Sequence, residues 1–108
     1  MGKVTHIKNA DELKGQLEGA GNKLVVIDFF ATWCGPCKAI APIIEKMATE
    51  FEDSVVFLKV DVDECESVAA SYNISAMPTF KFIKEKKEVD EFMGANEAKI
   101  KELVQKHK

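Results

Sequence analysis

The sequence contains no arginine, and all fifteen of its basic residues are lysine. Arginine and a basic surface supply most protein contacts to nucleic acid. Because this chain also carries a formal net charge of -3, nucleic-acid binding is not expected. The sequence lacks an uncharged apolar run close to the roughly 20 residues of a membrane span, and it begins without the apolar core of a signal peptide. We therefore expect a soluble protein that is not exported.

Cysteine is also scarce, with three residues in the whole chain. Cys34, Cys37 and Cys65 are too few and too unevenly spaced for the disulfide framework of a small secreted domain. Redox chemistry and metal binding are the two uses to be distinguished.

The residues that are present have the composition of a folded domain. Of 108 residues, 46% are hydrophobic and 31% are charged, which is typical of globular proteins. Two cores would each fall near the size at which folding alone becomes marginal, so residues 1–108 are predicted to form one domain. Met1-Gly2 matches the start of a myristoylation signal, but that signal requires Ser or Thr where His6 stands. An unmodified N-terminus is expected.

Hydrophobic periodicity predicts alternating strands and helices. Residues 24–30 (LVVIDFF) form a nearly continuous apolar run, which is typical of a strand buried on both faces. From Cys34 to Phe51 the apolar residues follow the helical period, and Pro42 should kink this long helix. The predicted strands are residues 3–7, 24–30, 55–60, 79–83 and 88–93. The predicted helices begin at Asn9, Cys34, Asp63 and Asn96. The order βαβαβαββα predicts an α/β fold, a central mixed sheet with helices on both faces.

Residues 33–38 (WCGPCK) lie between the buried strand and the long helix, where open α/β sheets place their sites. Cys34 and Cys37 are three residues apart at the start of the helix. Their Cα atoms should lie roughly 5 to 6 Å apart, within the range that a disulfide tolerates. Unpaired N–H groups at the helix start would stabilise a thiolate on Cys34. Cys37 should be more shielded and should attack second.

Metal binding explains this cysteine pair less well than redox chemistry does. A structural zinc site needs four ligands, and the other candidates are scattered along the chain. They are Cys65, His6 and His107. A c-type haem would need histidine in place of Lys38, and an iron–sulfur cluster would need four thiolates. We expect no bound metal. An inert structural disulfide is the remaining alternative, although a partly exposed disulfide at a helix start is of the labile kind.

At this point the sequence resembles the thioredoxin family. The resemblance is carried by the segments DFFATWCGPCK, KVDVDE, NISAMPTF and MGANE, which occur in family order and are most similar to thioredoxins of the eukaryotic cytosol. It covers essentially the whole chain and implies the thioredoxin fold. It also implies a protein-disulfide reductase, in which Cys34 and Cys37 are left oxidised after each reaction.

Asp28 is the single charge within the strand 24–30. A strand aspartate is ordinarily a solvated edge residue, but one flanked by apolar residues is costly to bury, and burial would raise its pKa toward neutrality. The resemblance implies that Asp28 is the base for Cys37. It also implies that Lys59, the lone charge in VVFLKV, lies near Asp28 and tunes it. A surface lysine on an alternating strand is the alternative.

Pro78 would be trans in most sequences, since only about 5 to 6% of X-Pro bonds are cis. The resemblance implies a cis bond facing the cysteines, with the backbone of Met77 open to a substrate peptide. It further implies a shallow apolar docking rim around the cysteines. The rim would consist of Trp33, Gly35, Pro36, Met77, Gly94 and Ala95. For Met77 and Met93, filling of the core is an alternative, as is a plain turn for the glycines.

Gly35 and Pro36 bear on the direction of the reaction. Pro36 has no N–H, and neither residue adds positive charge, so the Cys34 thiolate is less stabilised than beside a histidine. A less stabilised dithiol is the better reductant, so we expect a reductase rather than a secretory oxidase or isomerase. A redox-gated binding module, whose reduced form docks on and regulates a partner, is the rival function.

The sequence has no nucleotide-binding glycine-rich loop, so electrons must come from another protein. The resemblance implies no bound cofactor and indirect use of NADPH through a thioredoxin reductase. The expected substrates are disulfide forms of enzymes of the peroxiredoxin, ribonucleotide reductase and methionine sulfoxide reductase types. We expect a monomer in the cytoplasm, with access to the nucleus left open.

Cys65 is the one cysteine of the sequence that lies outside the Cys34–Cys37 pair. It is predicted in the first turn of a helix, between two glutamates, on an apolar stripe that implies burial. Core packing is the simpler interpretation, and a regulatory thiol is the alternative. Ala76 stands where some family members carry a cysteine linked to dimerisation, so that route to a covalent dimer is absent. His6 and His107 are expected at the surface.

Overall fold

The computed structural model describes residues 3–108, so the expectation for the N-terminus at Met1 and Gly2 lies outside the described residues. Strands and helices alternate along these residues, except that the last two strands follow each other directly. The strands are β1 (Thr5–Ile7), β2 (Leu24–Phe30), β3 (Val55–Asp61), β4 (Thr79–Lys84) and β5 (Lys87–Met93). The helices are α1 (Ala10–Gly19), α2 (Gly35–Glu50), α3 (Glu66–Ser71) and α4 (Glu97–His107). Between residues 3 and 108, no helix is long and apolar enough to span a membrane.

The strands form one mixed sheet in the order β1-β3-β2-β4-β5. Strands β1, β3 and β2 are parallel, whereas β4 pairs antiparallel with β2 and β5 pairs antiparallel with β4. One face of the sheet packs against α2 and α4, and the opposite face packs against α1 and α3. The predicted α/β class with helices on both faces is confirmed.

Strand β2 lies at the centre of the sheet and is buried from Leu24 to Phe29. Alternation of side chains directs Leu24 and Val26 to the core under α2 and α4, and Val25 and Ile27 to the opposite core. Each such aliphatic side chain contributes roughly 1.5–3 kcal/mol to the stability of the folded protein when it is fully buried. Asp28 lies two residues after Val26 on the same strand, so its side chain points to the same face as those of Leu24 and Val26. This is the face where α2 carries the cysteine pair.

Helices α1 and α4 begin where the sequence predicts, at Asn9 and Asn96. Asn9 accepts the Glu12 N–H at 2.9 Å at the start of α1, and Asn96 accepts the Lys99 N–H at 3.0 Å at the start of α4. Such side chains satisfy backbone donors that the first helical turn leaves unpaired. Local sequence signals were sufficient at both positions.

Helix α3 begins later than the sequence predicts. Its N-cap residue is Cys65, which makes no side-chain cap hydrogen bond, and its first helical residue is Glu66. The Asp61 carboxylate accepts the N–H groups of Asp63 and Glu64 at 2.9 and 3.4 Å and holds them in a turn before the helix. The prediction of Asp63 as the helix start, and of Cys65 in the first turn, is therefore wrong.

Strands β4 and β5 form a hairpin, and Glu85 and Lys86 make the turn between them. Glu85 and Lys86 have φ angles of 51° and 67°, the left-handed conformation that two-residue hairpin turns require. On β4, Lys81 is only 6% exposed, and its ammonium group donates to Glu91 at 2.8 Å and to Glu88 at 3.0 Å. Burial alone would lower the pKa of Lys81, but these hydrogen bonds raise it. The lysine therefore keeps its charge and ties the two strands together.

His107 holds the end of α4 against β5. Its Nε2 donates to Oδ2 of Asp90 at 2.9 Å, and Lys84 Nζ donates to the His107 carbonyl at 2.9 Å. His107 is half-buried and is therefore less exposed than predicted, because α4 packs back on the hairpin. His6 is exposed as expected and pairs with Glu64 at 2.9 Å.

Replacing Asp90 by Asn is expected to lower the free energy of unfolding by about 1 kcal/mol at pH 7. The hydrogen bond from His107 lowers the pKa of Asp90. Its contribution is therefore present above the pKa of an unfolded aspartate and is lost as the pH falls through the lower folded value. Urea titrations at neutral and acidic pH measure this effect. Asp53→Asn, in an exposed turn, is the control, and equal losses in both variants at pH 7 would contradict the pairing.

Candidate active site

The cysteine pair lies where β2 ends and α2 begins. Cys34 is the N-cap residue of α2, and Cys37 lies in its first turn with a Cα–Cα distance of 5.3 Å between them. The two sulfurs form a disulfide, as predicted. Cys34 is 6% exposed and Cys37 is 4% exposed, so the expected partial exposure of the disulfide is wrong. Phe30, Val62 and Met77 pack against the cluster that the two cysteines form with Ala31.

The sulfur of Cys34 faces two backbone groups. The Cys37 N–H donates to it at 3.2 Å, and the carbonyl oxygen of Met77 lies 3.7 Å from it. The N–H donor and the positive end of the helix dipole both favour negative charge at this sulfur. After reduction, these groups would stabilise a thiolate on Cys34.

Residues 76–79 form a loop beside Cys34. The Met77–Pro78 peptide bond is cis, as the family resemblance implies. Thr79 Oγ1 donates to the Ala76 carbonyl at 2.6 Å, and the Gly94 N–H donates to the Pro78 carbonyl at 2.9 Å. Gly94 has a φ of +117°, which glycine adopts without a steric penalty. These bonds hold the 76–79 loop and place the turn at residues 94–95 next to it.

Cys37 lines a cavity of about 250 Å³ together with Asp28, Thr32 and Lys59. Asp28 is 6% exposed. Among residues 3–108, its Oδ1 atom has no hydrogen-bond partner. Cys34 does not line this cavity. The two cysteines therefore have different surroundings: Cys34 is beside the 76–79 loop, and Cys37 shares a cavity with a buried carboxyl group.

Burial raises the pKa of Asp28 from 3.8 to about 7, and the charge of Lys59 acts in the opposite direction. The two residues are neighbours because Asp28 on β2 is in register with Lys59 on β3. Lys59 is half-buried, so the alternative of an ordinary surface lysine is not supported. A carboxyl group with a pKa near 7 can take up and release a proton at physiological pH.

Trp33 precedes the disulfide and is 66% exposed. Its indole Nε1 donates to Oδ2 of Asp63 at 2.9 Å. The contact arises because Asp63 follows β3 and Trp33 follows β2, two adjacent parallel strands whose carboxyl ends meet at one edge. Sequence reasoning missed this role of Asp63. The available signal was its position just beyond a parallel strand.

The predicted docking residues differ in exposure. Trp33, Gly35, Pro36 and Ala95 are exposed, Met77 and Gly94 are half-buried, and Pro78 is buried. Met93, for which core filling was an alternative, is 55% exposed, so that alternative is wrong.

Cys65 belongs to the core on the opposite face of the sheet. Its thiol donates to the Ile7 carbonyl at 3.6 Å. Burial raises the pKa of Cys65, and the carboxylates of Glu64, Asp61 and Glu12 raise it further. The thiol therefore stays protonated and is a poor nucleophile, which favours the packing interpretation. Within the described residues, no group of three or more His, Cys, Asp or Glu side chains is placed to hold a metal.

The thioredoxin family model matches residues 4–106. This chain belongs to the thioredoxin family. A thioredoxin of Ictalurus punctatus is 49% identical over 106 residues, which cover 97% of this chain and 99% of the relative. Thioredoxin-2 of Saccharomyces cerevisiae is 52% identical over 101 residues, which cover 94% and 95% of the two chains. The X-ray structure of Fasciola hepatica thioredoxin superposes with a TM-score of 0.95 at 48% identity, covering 97% of this chain and 100% of that chain.

Family membership and the Cys34–Cys37 pair together establish the activity. The protein is a thiol–disulfide oxidoreductase that reduces disulfides by dithiol–disulfide exchange. The thioredoxin family uses no prosthetic group, and its redox-active group is the disulfide itself. In general terms, its substrates are disulfides, and a reductase regenerates the dithiol.

Proposed function

We propose that Cys34 is the attacking thiol of this disulfide reductase and that Cys37 is the resolving thiol. The Cys34 thiolate attacks one sulfur of a substrate disulfide, forms a mixed disulfide and displaces the other substrate sulfur. Cys37 then attacks the Cys34 sulfur, which forms the Cys34–Cys37 disulfide and releases the second substrate sulfur. The substrate gains two electrons and leaves as two thiols. The different surroundings of the two cysteines support this assignment, because Cys34 lies beside the 76–79 loop and Cys37 shares a cavity with Asp28.

The stabilisation of the Cys34 thiolate depends on backbone groups. Gly35 and Pro36 are exposed and uncharged, and Pro36, within the first turn of α2, has no N–H to donate. The Cys37 N–H and the helix N-terminus are the groups that act on the sulfur. A thiolate stabilised to this moderate degree is nucleophilic, and its dithiol is readily oxidised, which favours reduction of the substrate.

Asp28 handles the proton of Cys37. Its carboxyl group, with a pKa of about 7, accepts this proton when Cys37 attacks the mixed disulfide. Lys59 lowers the pKa of Asp28 and so keeps part of the carboxyl population ionised at neutral pH. The shared cavity has room for a water molecule to relay the proton.

Substrates dock on the surface around the disulfide, which we call the docking rim. It comprises the residues predicted from the sequence together with Pro78, which holds the backbone of Met77 in place: Trp33, Gly35, Pro36, Met77, Pro78, Gly94 and Ala95. An extended peptide can pair with the backbone of Met77 next to the Cys34 sulfur. Main-chain pairing and shallow apolar contacts depend little on the substrate sequence, which suits a reductase that acts on several proteins.

Because the sequence has no nucleotide-binding glycine-rich loop, the electrons come from another protein. Membership of the thioredoxin family supports NADPH and a thioredoxin reductase as their source. The substrates are disulfide forms of enzymes of the peroxiredoxin, ribonucleotide reductase and methionine sulfoxide reductase types. The protein acts as a single-domain monomer in the cytoplasm, and a chain of this size needs no extra signal to reach the nucleus. The family match over residues 4–106 and the similar thioredoxins from eukaryotes support this proposal.

Reduction of insulin disulfides tests the function. Catalytic amounts of the protein should complete many turnovers with NADPH and a thioredoxin reductase, and also with dithiothreitol. Cys65→Ser is the matched control, because it removes a cysteine outside the pair and should keep its turnover. A rate no higher than that of dithiothreitol alone would refute the reductase assignment. Turnover with dithiothreitol but not with the reductase would refute only the electron source.

Asp63→Ala is expected to raise KM for insulin about two- to threefold with little change in kcat, because the Trp33 indole loses its hydrogen bond and its fixed position on the docking rim. Steady-state kinetics show whether KM or kcat changes. Fluorescence of the single tryptophan reports the mobility of its side chain. Asp63→Asn can still accept the indole N–H and should restore most of the affinity. Identical KM values for Ala and wild type would contradict this positioning role.

A further inference from the structure

Met93 is an exposed thioether beside the docking rim. It is 55% exposed and ends β5, where its Cα is in register with Thr79. The next residue, Gly94, donates its N–H to the Pro78 carbonyl at 2.9 Å. Met93 therefore adjoins the 76–79 loop that lies beside the Cys34 sulfur, and a protein docked on the rim would cover it.

The other described methionines are less accessible. Met47 is 2% exposed in the core under α2, and Met77 is half-buried against the disulfide. Oxidation of a side-chain sulfur follows its exposure to the oxidant. Peroxide should therefore react with Met93 first and with Met47 last.

We infer that Met93 is a peroxide-sensitive modification site that weakens the docking of protein substrates when it is oxidised. This inference rests on the proposed docking rim. A hydroperoxide transfers one oxygen atom to the Met93 sulfur, so the O–O bond breaks and an S–O bond forms. The sulfur loses two electrons, and with hydrogen peroxide the second oxygen leaves as water. The resulting sulfoxide is polar, and its desolvation opposes docking, while the Cys34–Cys37 chemistry is untouched.

The test uses the full chain with its disulfide intact during treatment with hydrogen peroxide, so that Cys34 and Cys37 are protected. Peptide mass spectrometry measures sulfoxide formation at Met93, Met77 and Met47 over time. After removal of peroxide, dithiothreitol restores the dithiol and leaves the sulfoxide in place. The KM for insulin and the rate with a small aromatic disulfide are then measured. Wild type, Met93→Leu and Met47→Leu are each compared with their own untreated samples.

We expect Met93 to be oxidised first and KM for insulin to rise about three- to tenfold in treated wild type and Met47→Leu. The rate with the small disulfide should change less than about twofold, because this substrate does not need the rim. Treated Met93→Leu should keep its own untreated KM. Equal rates of oxidation at Met93 and Met47 would overturn the inference about Met93 but not the proposed function. A rise of KM in treated Met93→Leu equal to that in treated wild type would do the same. Failure of untreated protein to reduce insulin would overturn the proposed function, and the inference with it.

Discussion

Replacing Cys34 by Ser lowers the rate of insulin reduction by about a thousandfold or more, because the serine hydroxyl is not ionised at neutral pH and cannot replace the thiolate nucleophile. The variant keeps the helix cap, since a serine oxygen can also accept the Cys37 N–H that the sulfur now accepts at 3.2 Å. The loss is therefore chemical rather than structural. Steady-state turnover with dithiothreitol as the donor measures it, and urea denaturation checks that the variant is folded.

Cys37→Ser is the matched partner of this variant. It retains the attacking Cys34 thiolate but lacks the thiol that resolves the mixed disulfide. We expect one rapid attack, accumulation of a covalent complex with the substrate, and loss of multiple turnover. Non-reducing electrophoresis and intact mass detect the complex. If Cys34→Ser formed the stable complex and Cys37→Ser did not, the order of attack would be reversed.

The Cys37→Ser variant also distinguishes a reductase from a redox-gated binding module. In a binding module, Cys37→Ser would keep the biological effect of the reduced protein although it cannot turn over. In a reductase, that effect is lost together with turnover. Trp33 is exposed, and both proposed functions would use it for docking, so docking alone does not distinguish them.

Asp28→Asn is expected to raise the free energy of unfolding by about 4 kcal/mol at pH 9. The pKa of Asp28 is about 7 in the folded protein, against 3.8 for the free group, a difference of about three units at about 1.4 kcal/mol each. Because the folded state binds this proton more tightly, the stability of wild type falls as the pH rises from about 4 to about 7. Asparagine has no ionised form, so the variant avoids that loss.

Urea denaturation of the disulfide form at several pH values measures this difference. The gain should be largest above pH 7 and should shrink to less than about 1 kcal/mol near pH 4. Asp53→Asn, which changes an exposed aspartate, should give no such pH-dependent gain. An Asp28→Asn gain that is the same at pH 4 and pH 9 would show that the carboxyl group does not titrate as described.

Asp28→Asn should also slow insulin reduction about 10- to 100-fold at pH 7, because Cys37 loses its base. Single-turnover measurements should place the delay in decay of the mixed disulfide and leave its formation unchanged. A delay in formation instead would assign Asp28 to the first step. More stability and less activity in one variant would show that the buried carboxyl group is kept for its chemistry.

Several features of this protein depend only on neighbours along the chain, and the sequence predicted them. The apolar run 24–30 is the central strand, Asn9 and Asn96 are helix caps, and Cys34 and Cys37 are spaced for a disulfide at a helix start. These predictions succeeded because side-chain periodicity and capping are local, and they involve residues no more than a few positions apart.

Contacts between residues that are distant along the chain follow from the packing of the strands and helices. The parallel register of β2 and β3 places Lys59 beside Asp28 and brings Asp63 to the Trp33 indole. The sequence predicted Asp63 only as the start of a helix. The hairpin buries Lys81, and the end of β5 leaves Met93 exposed. Strand order, register and the packing of each helix set these contacts and exposures together, and alternation along one strand cannot reveal which partner strand lies beside it.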